Sequence, residues 1–191
     1  MSKMTRAFLS FEAPDELGEW LAKHHDSASE LWVRIYKAGS GPRSVTWSDC
    51  VIEAIAFGWI DGQKQSLDAV SYLQRLTPRK PGSNWSKKNC EHATRLISEG
   101  RMAPAGLAQV EAAKAAGRWE SAYAGSAAMS IPDDFLDALE ASPAAKAFFH
   151  TLDRKNLFAI YYRLQTAKRP ETRARRMADI LARLDRGERF H

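Results

Sequence analysis

The sequence predicts an α+β protein: a small, mostly antiparallel sheet with helices over residues 1–125, then a helical region over residues 126–191 packed on it. Three observations point there. Residues 31–37 (LWVRIYK) and 70–76 (VSYLQRL) place apolar side chains at the two-residue period of a strand. Several stretches around them repeat apolar residues every three or four positions, the spacing of a buried helix face. From Trp85 onward only that second pattern recurs, so helices gather toward the C-terminal end.

Taken in order, residues 14–25 (PDELGEWLAKHH) form the first predicted helix. Pro14 suits a first turn, Asp15 and Glu16 complement the positive end of the helix dipole, and Leu17, Trp20 and Leu21 share a face. His24, His25 and Asp26 close it. Adjacent residues diverge around a helix, so these read as cations favoured by the dipole rather than as a metal or catalytic cluster. In the strand at 31–37, Leu31, Val33 and Ile35 take one face; Trp32, Arg34 and Tyr36 take the other, and the aromatics there predict cover on both sides. AGSGPR at 38–43 reads as a plain loop or a glycine-rich ligand loop, without the phosphate-loop pattern.

Thr46 and Asp49 predict a capping box. The helix it opens buries Val51, Ile52 and Ile55 with Cys50, Ala54 and Phe57, and Gly58 supplies a left-handed stop. Asp61-Gly62 then signals a tight turn. Short extra strands are expected near 44–46 and 59–61. Helices follow at 86–99, burying Cys90, Ala93, Leu96 and Ile97, and from Pro104 to Gly117, with Leu107, Val110 and Ala113 inward. Residues 118–130 read as a linker. Four more helical segments are expected at 132–140, 143–151, 154–167 and 170–185; the last turns Met177, Ile180, Leu181 and Leu184 inward and Arg173, Arg175, Arg176 and Arg183 largely outward.

A hydrophobic share of 45% and a charged share of 27% are those of a folded globular chain. At 191 residues such a chain buries enough surface to need no disulfide or metal staple. Cys50 and Cys90 lie far apart in helical patterns, which makes them small core residues of a reduced, cytoplasmic protein. The N-terminal MSKMTRAFLSFEAP lacks the apolar run of a signal peptide, and no window reaches the length of a transmembrane span. The net charge of +5 is uneven: residues 154–191 hold 11 Lys/Arg against 4 Asp/Glu. That surplus reads as a solvated helix face, or as a surface for phosphates, nucleic acid or anionic lipid.

Residues 57–89 concentrate cations, prolines and indoles, with Asp68 the one carboxylate between Gly62 and Glu91. This segment is the candidate site. Its loop ends at a helix N-terminus, where free backbone N–H groups attract anions. Arg75 and Arg79 can fork the oxygens of a carboxylate or phosphate, Lys80, Lys87 and Lys88 add point charges, and Pro78 and Pro81 stiffen the backbone. Trp59 and Trp85 serve either as an aromatic platform or as core anchors. Asp61 is a turn residue, an ion-pair partner or, against apolar walls, a general acid/base. The five histidines are scattered, so neither metal nor cofactor is predicted, and nucleophile-elbow, kinase and dinucleotide patterns are missing.

The blocks FGWIDGQ, YLQRLTPRKPGSNWSKKN, RLISEGRMAPAGL and AKRPETRARRM, in this order, resemble the YdeI/OmpD-associated family, also labelled bacteriocin-protection proteins, across roughly residues 30–191. The resemblance implies a stress or bacteriocin-protection setting and assigns no functional residue. Against the family pattern, Gln63-Lys64-Gln65 is less basic, Leu76 replaces a common aromatic and Cys90 a branched aliphatic. The leading expectation is a cytoplasmic protein binding an anionic small molecule or phosphate-bearing ligand through Trp59, Arg75, Arg79, Lys80, Trp85, Lys87 and Lys88. The alternative is an enzyme on a small carboxylate or phosphate, with Asp61 as acid/base and Arg79 orienting the anion. A third is weak, non-specific nucleic-acid binding by the arginines from Arg169 to Arg189.

Overall fold

The expected strand alternation becomes a four-stranded sheet in the computed structural model, which describes residues 7–191. The N-terminal stretch on which the signal-peptide expectation rests lies partly outside the described residues. The chain folds as α+β and divides between Ser121 and Ala122 into two compact units.

In the first unit the elements are β1 (Leu9–Ser10), α1 (Pro14–His24), β2 (Leu31–Tyr36), α2 (Trp47–Ala56), β3 (Trp59–Ser66), β4 (Ser71–Pro78), α3 (Lys87–Ser98) and α4 (Pro104–Ala115). The sheet order is β1-β2-β4-β3. β2 pairs antiparallel with β4, and β4 with β3, while β1 runs parallel to β2. β1 is too short for any periodic signal, and the sequence gives no warning of it. Residues 44–46 form no strand; Val45 N–H donates instead to the Phe11 carbonyl at 3.0 Å.

Leu31, Val33 and Ile35 of β2 join Leu17 and Leu21 of α1, Cys50 and Ala54 of α2, Trp59 and Leu76 in one apolar core. α2 is placed by its capping box: Thr46 Oγ1 accepts the Asp49 N–H at 3.2 Å and Asp49 Oδ2 accepts the Thr46 N–H at 2.8 Å. At its other end Gly58 takes the left-handed conformation at φ +75°. Cys50 is fully buried, and burial pushes its thiol up to about 12, so it packs as a small apolar residue.

The Asp61-Gly62 pair does not turn the chain. β3 runs straight through it, pairing Asp61 with Leu76 and Lys64 with Gln74, so one extra residue is absorbed as a bulge. The buried Gln74 side chain reaches into that bulge and donates to the carbonyls of Gly62 at 3.1 Å and Gln63 at 3.4 Å. The hairpin turn comes after Ser66. There Asp68 accepts the Val70 N–H at 2.9 Å and the Ser71 hydroxyl at 2.8 Å, and ion-pairs with Arg34 at 2.8 Å. The Ser71 hydroxyl, first among these contacts, holds the Asp68 carboxyl below its usual range.

Two inward assignments in the helices also change. Ile97 and Leu107 are exposed; the buried stripes run through Ala93 and Leu96 in α3 and through Gly106, Val110 and Ala113 in α4. Each misassigned residue is the sequence neighbour of a buried one, about 100° further round the helix.

In the second unit a single 3₁₀ turn (Ser126–Ala128) precedes α5 (Asp133–Glu140), α6 (Pro143–Phe149), α7 (Arg154–Gln165) and α8 (Pro170–Asp185). Phe135, Leu139, Phe149, Ile160, Leu164, Ile180 and Leu184 close its core. Among the described residues no helix is long and apolar enough to cross a membrane.

Candidate functional site

The cations of residues 75–88 are turned to separate tasks. Arg75, on β4 opposite Trp32 of β2, gives its Nε to Glu30 at 2.7 Å. Arg79 follows the end of β4 and is only 6% exposed. Its guanidinium lies 3.8 Å from the centre of the Trp85 ring, and Nη1 donates to the Asn84 carbonyl at 3.2 Å. Arg79 and Trp85 are therefore brought together as a stacked, buried pair that fastens the loop between them.

Lys88 pairs with Glu91 at 3.0 Å one turn along α3. Lys80 and Lys87 are exposed. The N-terminus of α3 is capped from within, Ser86 Oγ accepting the Asn89 N–H at 3.1 Å, and Ser83 Oγ accepts the Lys80 N–H at 2.9 Å. Trp59 is a core anchor, 1% exposed, with its indole N–H on the His25 carbonyl at 3.0 Å and its ring edge against Trp20. Sequence reasoning saw the charges; it had no signal for which of them β4 and α3 would spend on their own backbone and carboxylates.

The cavity nearest to a ligand site opens elsewhere in the first unit, where β2 ends. A groove of about 630 Å³ is walled by Tyr36 and Tyr72, floored by the glycine loop 38–43 and flanked by Lys37, Arg43 and Trp47. None of the described residues lining it is acidic. Gly39 (φ +78°) and Gly41 (φ +99°) let the loop fold back on itself, which a side chain at either position would resist. The Ser44 hydroxyl accepts the Tyr36 N–H at 3.0 Å and Ser40 Oγ donates to the Lys37 carbonyl at 2.7 Å, holding the loop's shape.

Charge and aromatic surface alternate around this groove. The Arg34 guanidinium covers the Tyr36 ring at 4.4 Å and the Lys64 ammonium covers Tyr72 at 3.9 Å. Trp47 is 51% exposed, an unusual position for an indole at the first turn of a helix. Its N–H donates to Asp61 Oδ2 at 3.2 Å, so the carboxylate singled out as an acid/base candidate orients the indole at the groove's edge. Lys37 keeps its ammonium by the hairpin, on the Ala69 carbonyl at 2.7 Å. The sequence signal for this place was the loop AGSGPR, ambiguous until Tyr36, Trp47 and Tyr72 are seen to converge on it.

The arginines of α8 are less outward than their spacing predicts. Arg173 forks Asp134 at 2.6 and 2.7 Å and reaches the Leu164 carbonyl at 2.9 Å. Arg176 and Arg183 are also half-buried, and Arg175 is exposed.

Residues 9–109 match the family described as a domain of unknown function (DUF8412), and residues 128–187 match the family described as bacteriocin-protection, YdeI or OmpD-associated. The second match spans a shorter stretch than the resemblance drawn from the sequence blocks: FGWIDGQ and YLQRLTPRKPGSNWSKKN fall within the first. Comparison with curated proteins and with solved structures found no match.

Proposed function

The chain belongs to the DUF8412 family over residues 9–109 and to the bacteriocin-protection, YdeI or OmpD-associated family over residues 128–187, and from that premise we propose a binding protein that recognises a small anionic ligand. The observation that carries the reading is the groove at the end of β2, cationic at Lys37 and Arg43, aromatic at Trp47, and without an acidic residue in its described lining. Its volume of about 630 Å³ is that of a small-molecule site. An exposed indole face takes a planar apolar group, and a guanidinium beside it takes the oxygens of a carboxylate or phosphate. The ligand class is therefore an anion with a planar part, such as a mononucleotide or an aromatic carboxylate. We set this binding in the cytoplasm and, following the family's description, in a protective or stress-related context.

A thermal-shift panel of mononucleotides, aromatic carboxylates and their uncharged analogues tests it. At least one anion is expected to raise Tm by about 4 °C at tenfold saturation, the uncharged analogues by none. Arg43→Gln and Trp47→Ala, both at exposed positions, are expected to lose the shift while keeping the ligand-free Tm. A panel in which no anion stabilises the protein refutes binding; a shift that survives both substitutions refutes the groove.

A further inference from the structure

Three guanidinium groups meet in the second unit, where α7 and α8 lie together. Arg163 of α7 and Arg183 of α8 both stack on the Phe190 ring, at 4.7 and 4.9 Å from its centre. Arg176 of α8 donates from Nη1 to the Arg163 carbonyl at 2.7 Å and to Thr166 Oγ1 at 3.1 Å. Arg163 itself donates to the Ala159 carbonyl at 3.0 Å. These contacts fix the three side chains in place without neutralising them.

Carboxylates are scarce here. Among the described residues none lies within ion-pair distance of Arg163 or Arg176. The buried Nε of Arg183 makes no hydrogen bond, and its ion pair with Glu188 is long at 3.7 Å. Glu188 is forked instead by Arg186, at 2.8 and 3.1 Å. Burial first, then the charges of Arg183 and Arg176, lower the Arg163 guanidinium's affinity for its proton below the ordinary value. Contrast Arg173 on the same helix, which has Asp134 to itself.

We propose that the α7–α8 seam is a second binding site, in which Arg163, Arg176 and Arg183 hold a compact oxyanion, a phosphate or the phosphoryl group of a small molecule. Guanidinium forks match two oxygens of such a group at once, and three of them surround it. The seam favours a compact anion over a nucleic-acid strand. Along α8 the neighbouring Arg173 and Arg186 are already held by Asp134 and Glu188, so the uncompensated charge forms one spot and not a track. This site uses residues of the second unit only and stands apart from the groove of the first.

The test is thermal shift of the whole chain in sodium pyrophosphate against sodium chloride at equal ionic strength. Pyrophosphate is expected to raise Tm by about 4 °C more than chloride at tenfold saturation. Arg163→Gln should weaken pyrophosphate binding by about tenfold or more, with a ligand-free Tm no lower than the wild type, because a repelling charge is gone. Arg163→Lys should restore part of the response, and Arg43→Gln, in the groove, should leave it whole. Equal rises in chloride and pyrophosphate overturn the site, as does a full response in Arg163→Gln. Should Arg163→Gln fail to fold, Arg183→Gln is read against the same two outcomes. A single-stranded oligonucleotide at physiological salt is expected not to bind; binding lost in Arg163→Gln would replace the compact oxyanion with a nucleic-acid backbone.

Discussion

Glu53 of α2 is a carboxylate only 6% exposed, held by Arg101 at 2.7 Å. Burial raises its pKa from the ordinary value, and Arg101 pulls it part of the way back. A carboxyl raised on folding contributes stability that is fully present below the ordinary range near 4.5 and is lost as pH rises through the folded-state value. Arg101 offsets that loss near neutrality. Arg101→Ala should therefore destabilise the protein at pH 7 by about 1–2 kcal/mol, a figure trimmed because Arg101 is half-exposed. As pH falls toward the ordinary carboxylate range, the gap to wild type should narrow, since Glu53 then folds protonated. Urea unfolding at pH 7 and pH 5 measures both; a loss equal at the two pH values would show that Arg101 acts through packing alone.

The same scale shows what a sequence can hide. Arg79 and Arg75 are indistinguishable from anion-binding arginines by composition, because a guanidinium stacked on Trp85 and one facing a ligand have the same neighbours in the chain. Local signals with a short-range cause were legible: Thr46 and Asp49, three residues apart, cap as their spacing demands.

At the scale of elements, α2 and α4 approach through glycine. A side chain at Gly106 would collide with the Ala56 carbonyl oxygen and would meet Met102 Sδ at 2.5 Å. The Ala56 carbonyl is also fixed by the Ala103 N–H at 3.0 Å, so the backbone there has little room to give. Gly106→Ala is expected to cost about 3 kcal/mol, whereas Gly82→Ala, with open space around it, should stay within about 0.5 kcal/mol. Denaturation midpoints compare them, and equal effects would mean that the helices separate without penalty. Helix existence and order were legible because apolar period and caps agree. The bulge at Asp61 was not: a two-residue turn signal lost to eight residues of β3 pairing with β4, with Gln74 satisfying the carbonyls the bulge leaves over.

At the scale of the whole molecule, the two family matches fall one in each unit, on either side of the division between Ser121 and Ala122. The change from mixed to purely helical pattern was visible in the chain, since periodicity is a property of the sequence itself. A groove is not: Tyr36, Trp47 and Tyr72 lie on three different elements, and only the sheet register and the loop between them make one surface. The central claim is that this surface binds an anion. Mapping amide chemical shifts of the whole chain, on titration with the most stabilising anion of the thermal-shift panel, tests it directly. The largest changes are expected at residues 36–47 and Tyr72, saturating together; largest changes at residues 75–88, or none that saturate, would contradict it.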